Sequence, residues 1–199
     1  MAYIREAETG SAQWLSDGGP EQPGVGRLLT AGPDRFDVAI PPLAGAPLYH
    51  GPAKEPAAGA VAGPRIERIV PDQVDAATGQ RTLRLRVIPP PDTYLVDLRA
   101  DARTRDIVAA TVNDLAVEVN TTAIGKEQWG WGFRYAAPPS QGIDLTIRTQ
   151  GGGPLPIRVV TTVPGLPEGV DAPTLPADAG WAGWPALSGQ TLAVKTFAL

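Results

Sequence analysis

Gln80-Arg81-Thr82-Leu83-Arg84-Leu85-Arg86-Val87-Ile88 is the stretch that decides the fold. Leu83, Leu85 and Val87 alternate with Thr82, Arg84 and Arg86, so one face is apolar and the other polar and charged. Such a period of two marks a strand with one buried face, because successive side chains of extended backbone point to opposite sides. Pro89-Pro90-Pro91 ends the run, since proline has no N–H to give to a sheet ladder.

The same alternation continues downstream. Residues 93–100 place Tyr94, Val96 and Leu98 on one face, with Asp97 and Arg99 opposite. Ile107–Val112 and residues 115–119 flank Asn113-Asp114, which reads as a two-residue hairpin turn without the favoured glycine. Trp131–Ala136 is a further run, stopped by Pro138-Pro139. In residues 143–149, Ile143, Leu145 and Ile147 oppose Asp144, Thr146 and Arg148. Gly151-Gly152-Gly153 turns the chain into residues 155–163. A last run, 191–198, sets Leu192, Val194 and Thr196 against Ala193, Lys195 and Phe197.

With 23 Gly and 22 Pro among 199 residues, long helices are disfavoured, and the two residue types fall mainly between the β-like runs. The expected fold is all-β: an antiparallel sandwich, or an open barrel, with long Pro/Gly-rich loops. Residues 1–39 are expected to supply N-terminal strands that pack on this domain. Residues 40–64, rich in Pro, Ala and Gly, read as an arm or linker, and 65–199 as the main sandwich. Residues 164–189 form a second irregular stretch carrying Trp181 and Trp184. No segment repeats at a fixed period.

Composition narrows the chemistry. Seventeen basic and twenty-one acidic side chains give a net charge of −4 with no basic stripe, so no nucleic-acid partner is expected. Cysteine is absent, which removes disulfides, a thiol nucleophile and Cys-ligated metal. Basic residues are mostly Arg, and with abundant Ala, Gly and Pro this resembles the usage of a GC-rich bacterial genome. No charged start followed by an apolar stretch is visible, and no apolar run nears the roughly 20 residues of a membrane helix. Targeting elements are expected to lie outside these residues.

The sole histidine, His50, has no acidic residues near it at ligand spacing, so neither a zinc site nor a Ser/His/Asp triad is expected. Asp97, Asp101, Asp106 and Asp114 fall near strand ends, where a glycosidase acid and base could sit. Their spacing singles out no pair, and acids there ordinarily form solvated turns. Gly151-Gly152-Gly153-Pro154 joins two β runs and so makes no phosphate cradle, which leads from a strand into a helix. Asn120-Thr121-Thr122 matches a glycosylation acceptor, expected to be idle in a bacterial-looking chain.

Aromatic residues are the remaining candidates. Trp129, Trp131 and Phe133 alternate with Gly130 and Gly132, which would put the three rings on one strand face. Trp131 and Phe133 suit the core, with the glycines admitting a close neighbour. Trp129, Trp181 and Trp184 are the candidate interaction surface, because flat rings bind sugars and peptides with large contact at small entropic cost.

Taken in order, these segments resemble the C-terminal β domain of membrane-embedded bacterial di-zinc exopeptidases of the aminopeptidase type (peptidase family 28). Tyr3 through Trp14 is similar to the start of that domain: an aromatic residue, an acidic-Thr-Gly turn, then Ala-x-Trp. Arg81 through Val87 resembles its first long strand. The fit is best over Trp131-Gly132-Phe133-Arg134-Tyr135-Ala136-Ala137-Pro138-Pro139 and Gly142-Ile143-Asp144-Leu145-Thr146. Pro156 through Val160, Gly165-Leu166-Pro167 and Lys195-Thr196-Phe197 continue it. Residues 40–64 have no counterpart.

The resemblance implies a non-catalytic extracytoplasmic domain of a membrane-anchored peptidase, serving stability, substrate access or protein interaction. Its partners would be the peptidase and membrane regions of its own parent protein, with peptide or glycan as further ligands. That family's zinc ligands lie in the peptidase domain, so no cofactor or metal and no catalytic residue is expected in this chain. Two rival classes stay open: a stand-alone carbohydrate- or peptidoglycan-binding sandwich using exposed Trp, and a small glycosidase or lyase working through paired carboxylates.

Overall fold

In the computed structural model, residues 2–16, 29–35, 47–53, 61–104, 106–119, 128–170 and 189–199 are described. Every regular element among them is a strand, in chain order β1 (Ala2–Glu6), β2 (Ala12–Ser16), β3 (Ala31–Arg35), β4 (Pro47–Pro52), β5 (Arg65–Arg68), β6 (Gln73–Val74) and β7 (Gln80–Ile88). There follow β8 (Leu95–Ala100), β9 (Ile107–Val112), β10 (Leu115–Val117), β11 (Trp131–Ala136), β12 (Ile143–Gln150), β13 (Pro156–Pro164) and β14 (Gln190–Ala198). They form two sheets. One has eight strands in the order β11-β8-β13-β14-β1-β2-β4-β3; the other runs β10-β9-β12-β7-β5, with β6 also pairing β7. Neither closes into a barrel, so of the two architectures expected the sandwich is the one found.

Alternation along β7 does what its pattern demands. Leu83, Leu85 and Val87 are fully buried, and across β12 they meet Ile147, Leu145 and Ile143. From the facing sheet come Val96, Leu98 and Ala100 of β8, Ile157 and Val159 of β13, and Trp131 of β11. These residues make the main core. The chain fills it by switching sheets: β7, β9 and β12 lie in one sheet, and β8, β11 and β13 in the other. Gly151-Gly152-Gly153 is therefore a crossover between sheets and not a hairpin. Arg81 ties down that end, donating to the carbonyls of Gly153 and Leu199 while its guanidinium pairs with Asp72.

Beyond β13 the eight-stranded sheet outruns its partner. Here β1 runs parallel to β14, the only parallel pairing among the described strands. Tyr3, Trp14 and Ala193 build a second cluster on the inward face, and Ile4, Leu15, Leu48, Val160, Leu192 and Val194 a third on the outward face. Both faces being buried, this region lacks the alternation of β7. That explains a difference at 40–64: within the expected arm, Pro47–Pro52 is a strand, antiparallel to β2 and β3. Its buried Leu48 sits in a Pro- and Gly-rich stretch too short to show a period.

The Asn113-Asp114 turn is a hairpin between β9 and β10. Both residues take positive φ, 47° and 64°, as a type I′ turn requires, and Asn and Asp tolerate that region better than most residues. The Asn113 side chain does the work glycine usually does by freedom alone. Its Oδ1 accepts from the Asp144 amide at 2.9 Å and its Nδ2 donates to the Tyr135 hydroxyl at 3.1 Å.

Candidate functional site

The aromatic run divides. Trp131 and Phe133 share the inward face, packed edge to face at 6.4 Å between centroids, and the Trp131 indole donates to the Glu118 carbonyl. Trp129 does not join them, contrary to the alternation expected of the three rings. It lies before β11 in a turn with φ of 59°, so the period of two fails between 129 and 131. Its ring instead lies under the guanidinium of Arg158, 4.7 Å from the ring centroid, and the residue is 5% exposed. A left-handed backbone is costly for a bulky residue, and this stacking and burial help to hold it. Such a ring offers a ligand little open surface. Trp181, Trp184 and the Asn120-Thr121-Thr122 motif lie outside the described residues.

The acidic residues are also distributed by the fold. Asp97 is mid-strand and fully buried, not a solvated strand-end acid, and accepts from Nε of Arg134 at 3.2 Å directly across β8 and β11. Burial pushes its carboxyl above the usual range, against the opposing pull of Arg134. Asp101, also buried, accepts from the amide and side chain of Arg103 in the turn after β8. Asp106 and Asp114 are exposed, Asp114 in the hairpin turn. His50 is half-buried on β4, opposite Leu15. Among the described residues no group of three or more His, Asp or Glu is placed to hold a metal ion.

Two features emerge that strand-by-strand reading misses. One is a cavity of about 270 Å³ on the inward side where the eight-stranded sheet overshoots the other. Val61, Pro90, Leu166 and Ala193 give it apolar walls, Thr161 and Thr191 line its floor, and Asp92 and Glu168 supply carboxylates. The Thr191 hydroxyl donates to the Gly165 carbonyl at 2.8 Å, leaving its lone pairs as acceptors. Acceptors in an apolar recess fit an apolar group that carries N–H donors.

The other feature is the outward face of β11, β8 and β13. Register places Gly132, Arg99 and Arg158 in one cross-strand row, and Arg134, Asp97 and Val160 in the next. Gly132 is the seat of this arrangement. A Cβ there would strike the Leu98 carbonyl and come within 2.7 Å of Arg99 Cδ, so only glycine lets the Arg99 stem cross β11. The available signal was a glycine at an outward position beside two charged outward positions. Without register, nothing in the sequence says that they meet.

The chain finds no match among protein-family models, curated proteins or solved structures, so its likeness to the peptidase-associated β domain stands on the quoted segments alone.

Proposed function

We propose that this chain is a non-catalytic accessory domain of a membrane-anchored zinc exopeptidase, held on the extracytoplasmic side and acting in stability, substrate access or protein interaction. The observation that supports the non-catalytic half is the commitment of four aspartates on and beside the strands to arginine, Asp92 and Glu168 at the cavity lying outside this set. Asp72 pairs with Arg81 and Arg68, Asp97 with Arg134, Asp101 with Arg103 and Asp144 with Arg86. A general acid or base needs a carboxyl free to exchange its proton with substrate, and a guanidinium partner opposes that. The peptidase association rests on the resemblance, together with a two-sheet architecture of the kind it implies. The inward cavity supports an interaction role, since it is sized for one apolar side chain or small group of a peptide partner.

Sequencing the complete reading frame that encodes the chain tests the association. Membrane-spanning segments and a zinc peptidase domain upstream are the expected finding. A secretion signal followed directly by this domain would overturn it and favour a free-standing binding module.

A further inference from the structure

We infer that the outward face of β11, β8 and β13 is a binding site for a dianionic phosphate group, built from Arg99, Arg134 and Arg158. The site lies on the opposite side of the sheet from the cavity and does not depend on the peptidase association.

Charge is the first argument. Arg134 and Arg99 act on one buried carboxylate, Asp97, and Arg158 stands in the adjoining row beside Thr196, whose amide donates to Glu8. Three guanidiniums thus face two carboxylates, and an excess of one positive charge remains. Arg99 and Arg158 are directly opposed on adjacent antiparallel strands, about 5 Å apart at the backbone. Like charges at directly opposed positions are unfavourable, and here the side chains lean apart, Arg99 over Gly132 toward β11 and Arg158 toward Thr196 of β14. On the other sheet Arg86 is matched across the strand by Asp144, whereas Arg84 and Arg148 face threonine; neither of those two has a second arginine directly opposite, as Arg99 has in Arg158.

Hydrogen-bonding capacity is the second. Arg134 spends only its Nε on Asp97, and Arg158 only its Nε on the Thr196 hydroxyl at 3.1 Å. Arg99 donates to nothing described, and its Nε is buried without a partner. The terminal nitrogens of all three are left without an acceptor among the described residues. Burial and the neighbouring Arg134 charge both disfavour the charged form of Arg99, while Asp97 favours it. A bound anion would relieve both effects at once.

Preorganisation is the third. Gly132 seats the Arg99 stem, Asp97 orients Arg134, and the Trp129 ring backs Arg158. Three forks held on rigid strands match an oxyanion with several lone pairs and two charges better than a single carboxylate. Arg134 remains half-exposed, which leaves its terminal nitrogens open to a ligand above the buried Asp97 and Val160.

Phosphate can arrive free in solution or as a lipid headgroup, and two arms separate these sources. Inorganic phosphate is titrated into the protein in HEPES with sodium chloride by calorimetry, and vesicles containing phosphatidic acid are tested by co-sedimentation. Saturable one-to-one binding in either arm is expected, weakened about tenfold or more by Arg99→Gln and by Arg158→Gln, each loss matching one or two charge-assisted bonds. Arg84→Gln, on the outward face of the other sheet, serves as the control and should bind unchanged. Trp fluorescence should respond to the ligand in the wild type and lose that response in Trp129→Phe. Circular dichroism establishes that each variant is folded. Binding in the vesicle arm alone would assign the phosphate to lipid. Absence of saturable binding in both arms, or equal binding by folded Arg99→Gln and Arg158→Gln, would overturn the site.

Discussion

Two Arg–Asp pairs occupy equivalent positions on the two outward faces of this sandwich and behave differently. Asp97 faces Arg134 across β8 and β11, and Asp144 faces Arg86 across β7 and β12, each directly opposite its partner in an antiparallel ladder. The Arg86–Asp144 side chains are 43% and 49% exposed and meet at 2.7 Å. In the other pair Arg134 is 53% exposed but Asp97 only 1%. The hydrogen bond from Arg86 holds Asp144 below the usual carboxylate range, whereas burial holds Asp97 above it. The same chemistry thus stabilises ionisation on one face and opposes it on the other, because water lost by a buried carboxylate is not fully replaced by one half-solvated guanidinium.

The largest effect should come from the inward side of the same strand. Leu98→Ala removes a fully buried side chain from the main core and should cost about 2–5 kcal/mol in denaturant unfolding. A loss within about 0.5 kcal/mol would mean that the two sheets do not pack as described. Next comes Gly132→Ala. The new methyl group meets backbone as well as the Arg99 side chain, so a cost of about 1–3 kcal/mol is expected, with loosening of β11 seen in amide exchange at residues 131–136.

Asp97→Asn should bring no loss, or a small gain, at pH 7. Because its folded carboxyl lies above the unfolded value of about 3.9, the stability it contributes is present below that value and is lost as pH rises through the folded one. The neutral variant should therefore match the wild type in acid and equal or exceed it near neutrality. A deficit of more than about 1 kcal/mol at pH 7 would reverse the comparison. Asp144→Asn should have the smallest effect. Its lowered value gives a contribution present above about 3.9 and lost as pH falls through the folded value, but exposure screens it, so melting temperatures should agree within error.

The parts of the fold that could be read in advance are those buried on one side only. From Thr82 to Val87 in β7 and from Ile143 to Arg148 in β12 each outward residue is polar and each inward one apolar, so the period of two survives in the sequence. By contrast β1 and β2 carry Tyr3 and Trp14 on one buried face with Ile4 and Leu15 on the other, and the period disappears. Strand β4 is hidden by its prolines, and β6 is two exposed residues long. Trp129 misled for a local reason, a single left-handed residue that resets which way the next side chains point. The arginine cluster was invisible for a long-range one. Arg99, Arg134 and Arg158 become neighbours only through the registers of β8 with β11 and β13, which alternation within any one strand does not specify.

Structural rather than catalytic carboxylates are tested most directly by measuring bound metal and peptidase turnover together on the purified chain. The expected result is zinc far below one equivalent by plasma emission analysis and no release of product from aminopeptidase substrates, with or without added zinc. Stoichiometric zinc accompanied by turnover would contradict it, and would place the chemistry within the chain itself.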